Sequence, residues 1–447
     1  MAVEMLAKDG VLEDVTLFQE ILEERFSYFY LEHGDYEKAL GVVRARASTL
    51  DRNTLGCLLQ KILALFIDGH ARMSHVLRAS GNLPFLTEAY SENVLALSVD
   101  GTSFFDDSYP YLTKLDGKTM DEWITLAQTL FPKSSPQFSK RNAVEVLKRI
   151  QHWRLEAGQP LNDTVEVELS DGVKTKTKKL EVLPKYGSRS RRTEQESRFL
   201  ENNLGYLRLT KMDEAAVETI RQWMPVFKST DGLIIDVRGN GGGLRTPLRE
   251  LFPYFMLDDT PVVASLAVYR LWEGFNHDHL AARYMYRFED EGWSDEERSV
   301  IKEVRKTFEP SVKFPKDKFS DWHYLVLSEA NNSHAYSYTK PVVVLMDTKC
   351  FSATDIFLGS LKGRKNITLI GQASSGGSGF AVRYDLPNSG LSCQVASMLS
   401  FQPSGQLYDT VGIQPDIEML PGLEDFISES DAVLARAIEH IKNQTRL

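Results

Sequence analysis

Two apolar runs constrain this chain more than anything else in it: residues 233–237, and "PVVVLMD" at 341–347. A strand with one face in water alternates apolar and polar side chains. These runs do not alternate, which fits strands buried on both faces of a parallel sheet. The first hands over to "RGNGGG" (238–243), the second to a predicted helix, "SATDIFLGSLKG", and then the strand "NITLIG". Ahead of them stand the strand "LGYLRLTKM" and a helix predicted around 214–227. Strand, helix, strand in repetition is the pattern of an α/β domain.

At 447 residues the chain predicts two or three domains. From 16 to 67 the apolar spacing is helical; Leu55, Leu58, Leu59, Ile62, Leu63 and Phe66 form one stripe, and Asp68-Gly69 reads as its stop. His70 follows directly. Short strands at Asp-Gly turns alternate with helices over 86–185, an α+β module, and "KYGSRSRRTEQESR" (185–198) reads as an exposed linker. The predicted division is a helical 1–85, the module at 86–185, a linker at 186–199 and a core at 200–447. Residues from about 250 to 338 are aromatic-rich, carry an acidic helix near 294–308, and read as an insertion or lid within that core.

The formal charge of −10 argues against a nucleic-acid partner. Three cysteines far apart argue against a disulfide scaffold and fit a reducing compartment. "MAVEMLAKDGVLEDV" has neither the basic nor the apolar region of a signal peptide, so the expected location is cytoplasmic, or secreted or periplasmic if a leader has been removed. No run of about 18 apolar residues predicts a membrane span. No His/Cys/Asp/Glu spacing of a metal site is evident, and no metal or organic cofactor is expected.

Chemistry is expected beyond the carboxyl ends of the parallel strands. Ser352 stands there, at the start of a helix whose free N–H groups favour a developing anion. It reads either as a nucleophile or as an N-cap with Asp355 completing a capping-box-like start. The glycines of "RGNGGG" at the same sheet edge allow backbone N–H groups to cradle an oxyanion, the alternative being a plain tight turn. A following Lys-Ser/Thr is absent, which sets a phosphate loop aside. Lys362 and Lys365 follow Ser352 too far along, about 15–20 Å at 1.5 Å per residue, to take its proton. Cys350 reads as a buried, inert thiol rather than a rival nucleophile.

The combination "GYLRLTKM…DGLIIDVRGNGGG…PVVVLMDTKCFSATDIFLG…NITLIGQASSGG…YDTVGIQPDIEM" resembles the C-terminal-processing (tail-specific) serine peptidases and their tricorn-type branch over about 200–447. "ALFIDGHARM" is similar to the Asp-Gly-His segment that many members carry before this core. The resemblance implies a crotonase/ClpP-like ββα core, a PDZ-like identity for the 86–185 module, and a peptide or protein substrate. It also allows for a homo-oligomer. Tail-specific members pair the serine with a lysine in a Phe-Gly-Lys-Gly segment; here that place is Gly376-Gly377-Ser378. The tricorn-type branch instead uses serine, an upstream histidine, and a glutamate three residues before the glycine of Gly-x-x-Pro-Asp. Counting back from Gly412 puts Asp409 there. The resemblance thus implies Ser352 as nucleophile, His70 as base and Asp409 as orienting acid, with the N–H groups of Gly242 or Gly241 and of Ala353 as oxyanion hole. Where tricorn has a serine before its histidine, this chain has Gly69. Two alternatives stay open: an esterase or amidase with the same triad, or a non-catalytic protein binding hydrophobic ligands or peptides on this fold.

Overall fold

A computed structural model describes residues 5–31, 33–184, 196–272 and 279–445. Its centre is a six-stranded sheet in the order Ile417–Glu418, Ile367–Gly371, Val342–Met346, Gly232–Asp236, Leu204–Arg208, Arg198–Leu200. The first five strands run parallel and the last antiparallel. The non-alternating runs have their explanation here. Leu233, Ile235, Val342 and Val344 pack on one face with the Ala353–Leu361 helix, while Ile234, Val343 and Leu345 pack on the other against Ala432–Thr445. Each such side chain contributes on the order of 2 kcal/mol through burial. This is the mixed α/β architecture expected from the pattern.

Two expectations about the core change in detail. The helix placed at 214–227 ends at Trp223, where Pro225 closes it and a short turn (Val226–Ser229) follows. The stretch from 250 to 338 is more than a lid. Its strands Val262–Tyr269, Tyr286–Arg287 and His323–Leu327 join Met398–Phe401 in one four-stranded sheet, so the insertion shares its hydrogen bonding with the core. The helix Asp295–Thr307 starts on a capping box made by Ser294 and Glu297. Most of the predicted linker lies outside the described residues, and its last two residues, Arg198 and Phe199, open the strand Arg198–Leu200.

The N-terminal helices are Lys8–Glu20, Tyr36–Ala45 and Arg52–Leu63. They share one core with Leu386, Leu391, Val395, Leu399 and Phe401 of the C-terminal hairpins rather than closing on themselves. The stripe of the third helix is buried as expected, save that Leu58 is half-buried. The helix ends at Leu63, four residues short of the expected stop, and Gly69 is not in the left-handed region. Gly69 serves a close approach instead: a Cβ there would lie 2.9 Å from the Phe351 ring.

After that turn Arg72–Met73 pairs with Leu391–Ala396, stitching the segment that carries His70 onto the core. Between 86 and 181, a six-stranded sheet, with Leu86–Tyr90, Asn93–Leu97, Tyr111–Leu115, Thr164–Ser170 and Thr175–Glu181 in that order and Lys118–Thr119 paired with the third, packs with three helices around Trp123 and Trp153. Among the described residues no helix is long and apolar enough to cross a membrane.

Candidate active site

The edge where the two central strands end is sewn together by short bonds. Gly239 N–H donates to both Asp347 carboxylate oxygens at 3.0 Å, and Phe351 N–H donates to the Asn240 carbonyl at 3.1 Å. Beneath it the Arg238 guanidinium bridges Asp236 and Asp431, each at 2.6 Å, and with Arg208 holds the buried Asp236 carboxyl at about 2 against its desolvation. Asn240 is fully buried and ties the glycine turn to the helix: its Oδ1 accepts from Gly242 N–H at 3.0 Å and Thr354 Oγ1 at 2.8 Å.

Ser352 precedes the helix with φ 59° and ψ −117°. A serine there stores roughly 1–3 kcal/mol of backbone strain, held by the surrounding bonds. It occupies the N-cap position but makes no side-chain cap. Asp355 does not complete a box either; its carboxyl accepts from Ser374 Oγ and from Gly376 N–H at 3.2 Å. The Ser352 hydroxyl instead lies 3.2 Å from His70 Nε2, across 282 positions of sequence.

Around His70 the fold places two buried carboxyls. Asp68 Oδ1 is 3.5 Å from His70 Nδ1, and accepts from the His70 backbone N–H at 2.8 Å; its Oδ2 accepts from Ala396 N–H at 2.9 Å. Asp409 Oδ2 accepts from the Tyr28 hydroxyl and from Ser378 N–H at 3.2 Å. Asp409 Oδ1 and His70 Nδ1 are both buried without a hydrogen-bond partner. Oxygens of both aspartates and a ring nitrogen of His70 lie within 4.8 Å of one another. Burial raises the Asp409 carboxyl to about 6; His70 opposes the rise and Asp68 adds to it. Burial first, then Asp409, likewise pushes the Tyr28 hydroxyl well above its ordinary range.

The structure therefore brings Ser352, His70 and Asp409 together from three distant segments. Gly242 abuts the serine: a Cβ there would lie 2.8 Å from Ser352 Cβ and 2.9 Å from Ala353 N. Its N–H, one of the expected oxyanion donors, is committed to Asn240. Gly241 is exposed on the same turn, and Ala353 is the first residue of the helix. Lys362 points away, to the Gln414 carbonyl and Asp416. Cys350 is fully buried, its Sγ toward the Val237 carbonyl, and burial raises its thiol well above the usual range.

Sequence reasoning missed Tyr28, Asn240 and Ser378, and took Asp68 for part of a helix stop; its place two residues before His70 was the one available signal. It also missed how the α+β segment touches the site. Ser134 Oγ donates to the Asp409 carbonyl at 2.8 Å, and Phe138 stacks on Phe351, whose ring lies 4.5 Å from that of His70.

Two groups among the described residues gather three metal-type donors, Asp68/His70/Asp409 and Cys57/His152/Glu156. In the first, His70 Nε2 faces Ser352. In the second, Glu156 is already paired with Lys61 and with Arg78 at 2.8 Å, cations that would repel a metal ion, and burial lifts the Cys57 thiol to about 12.

The strand-edge serine thus has the glycine turn beside it and the histidine facing it. In sequence, residues 203–419 match the model of Peptidase family S41. Over 113 residues it is 29% identical to an uncharacterized protein of Chlamydia muridarum, covering 23% of this chain and 19% of that one. The match thus spans about a fifth of that relative's length. Mature CPAF complexed with lactacystin superposes with a TM-score of 0.64 over 98% of each chain at 15% identity. A crystal structure from Parabacteroides merdae gives 0.51 over 96% of each at 16%. At those identities the likeness is one of fold.

Proposed function

We propose that this chain cleaves peptides through an acyl-enzyme on Ser352, with His70 as the base. The observation that carries the reading is the 3.2 Å contact between His70 Nε2 and Ser352 Oγ on a strained serine at a helix start. Attack of Oγ on the scissile carbonyl passes its proton to Nε2, and His70 then returns it to the leaving amine. Ala353 N–H, free of intrahelical bonding at the first helical position, faces the developing oxyanion together with the glycine turn. A second donor comes from Gly241, or from Gly242 once it lets go of Asn240; each such donor is worth about 3 kcal/mol.

Asp409 is the orienting acid in this reading. Its Oδ1 makes no hydrogen bond, nor does His70 Nδ1, which has Asp68 Oδ1 at 3.5 Å. Asp68 has an oxygen on each of two backbone N–H groups and shapes the turn that carries His70.

The test is cleavage of carboxymethylated casein, followed by gel and mass spectrometry. Ser352→Ala should abolish it, and His70→Ala should lower turnover by roughly 10⁴ to 10⁶. Near-native turnover in His70→Ala would refute the base assignment.

A further inference from the structure

Two arginines elsewhere in the fold find carboxylates: Arg154 meets Asp116 at 2.9 Å, and Arg238 meets two aspartates at 2.6 Å. Arg245 and Arg283 do not. Arg245 is 4% exposed, and the bond made by its guanidinium is to the Arg283 carbonyl at 3.1 Å. Arg283 donates to the Gly243 carbonyl at 3.0 Å, and its guanidinium carbon lies 4.1 Å from the centre of the Phe380 ring. Among the described residues neither has a carboxylate partner. Burial, and then the charge of Arg283, pull Arg245 below the usual guanidinium range. Two unneutralised cations side by side are costly in a protein interior.

Their place is beside the chemistry. Gly243 follows Gly242, which abuts Ser352. Phe380 follows Gly379, where a Cβ would lie 3.5 Å from His70 Nδ1. Arg283 thus touches both the glycine turn and the segment that approaches His70. His279 stacks on Phe380 at 4.2 Å, and burial lowers it to about 4, so it stays neutral and offers no competing charge at physiological pH.

We propose that Arg283, positioned by Arg245 through its carbonyl, forms a subsite for an aspartate or glutamate side chain adjoining the scissile bond. The incoming carboxylate supplies the counter-charge that the described residues withhold, through N–H donors of a guanidinium that makes one hydrogen bond among those residues. This inference rests on the reading of Ser352 as nucleophile.

Two libraries of N-acetylated, C-amidated decapeptides test it, alike except that one carries aspartate and the other asparagine at a fixed central position. Blocked ends remove terminal charges, and cut sites are read by mass spectrometry. In parallel, a fluorophosphonate probe reports on Ser352. The native protein should cut next to aspartate about 10- to 100-fold faster than next to asparagine. Arg283→Gln should bring that ratio toward one, and Arg283→Lys should restore part of it. A structural latch on the glycine turn would not change the ratio. An adduct on Ser352 with no preference for the acidic library, whether both libraries are cut or neither, overturns the subsite alone. No adduct overturns the peptidase reading and the subsite with it.

Discussion

Replacing Asp409 with asparagine should make the protein more stable and less active, and the stability gain should depend on pH in a defined way. Asparagine keeps the shape and leaves an oxygen to accept from Tyr28 and from Ser378 N–H, while the buried charge disappears. Burial raises the Asp409 carboxyl from 3.8 to about 6. Between those two values the native state binds the proton more tightly than the unfolded chain, so native stability falls as pH rises through the window. Below about 4 the group is protonated in both states and costs nothing; above about 6 the full cost is present. A rise of about 2 units at 1.36 kcal/mol each comes to about 3 kcal/mol. For a chain of 447 residues that is a shift of about 3 °C in Tm. Scanning calorimetry of both proteins from pH 4 to 8 should show Asp409→Asn gaining on the native protein through that window, then holding its lead. A difference that is flat with pH, or that reverses, would refute the claim that Asp409 is buried at a cost the fold bears for the sake of His70.

In the same variant, turnover should fall by up to about 10⁴, and Asp68→Asn should cost less because Asp68 serves mainly the backbone; the opposite order in casein cleavage would make Asp68 the orienting acid. Gly242→Ala forces a Cβ to 2.5 Å from the Phe351 carbonyl at φ 95°, so the turn and Ser352 must move apart. A displacement near 1 Å predicts a loss of about 10²-fold in turnover, and unchanged turnover would remove the turn from the mechanism. Gly69→Ser drives a side chain into the Phe351 ring that lies against His70. It should reduce activity, and Phe351→Ala in the same chain should recover part of the loss; no recovery would place the defect elsewhere.

Much of this was legible in local pattern. Strands buried on both faces announce themselves by unbroken apolar character, and the helix behind Ser352 by its position after such a strand. What escaped was set by distant partners. The first helix begins at Lys8, eight residues before the expected start, with Gly10 and the buried Asp14 inside it. Asp14 accepts from Asn388 and Ser389 N–H groups at 3.1 and 2.7 Å, and Gly10 makes room for Asn388. Gly69 reads as a helix stop until Phe351 is seen against it. Nothing near Asn240 in sequence reveals that its amide joins the glycine turn to Thr354, nor does anything near Arg245 reveal that it goes without an acid.

Intact-mass analysis after exposure to a fluorophosphonate, with peptide mapping of the adduct, tests the central claim most directly. One adduct per chain is expected, on Ser352, absent in Ser352→Ala and lost or greatly slowed in His70→Ala. An adduct on another residue, or labelling of Ser352 that His70→Ala leaves untouched, would contradict it.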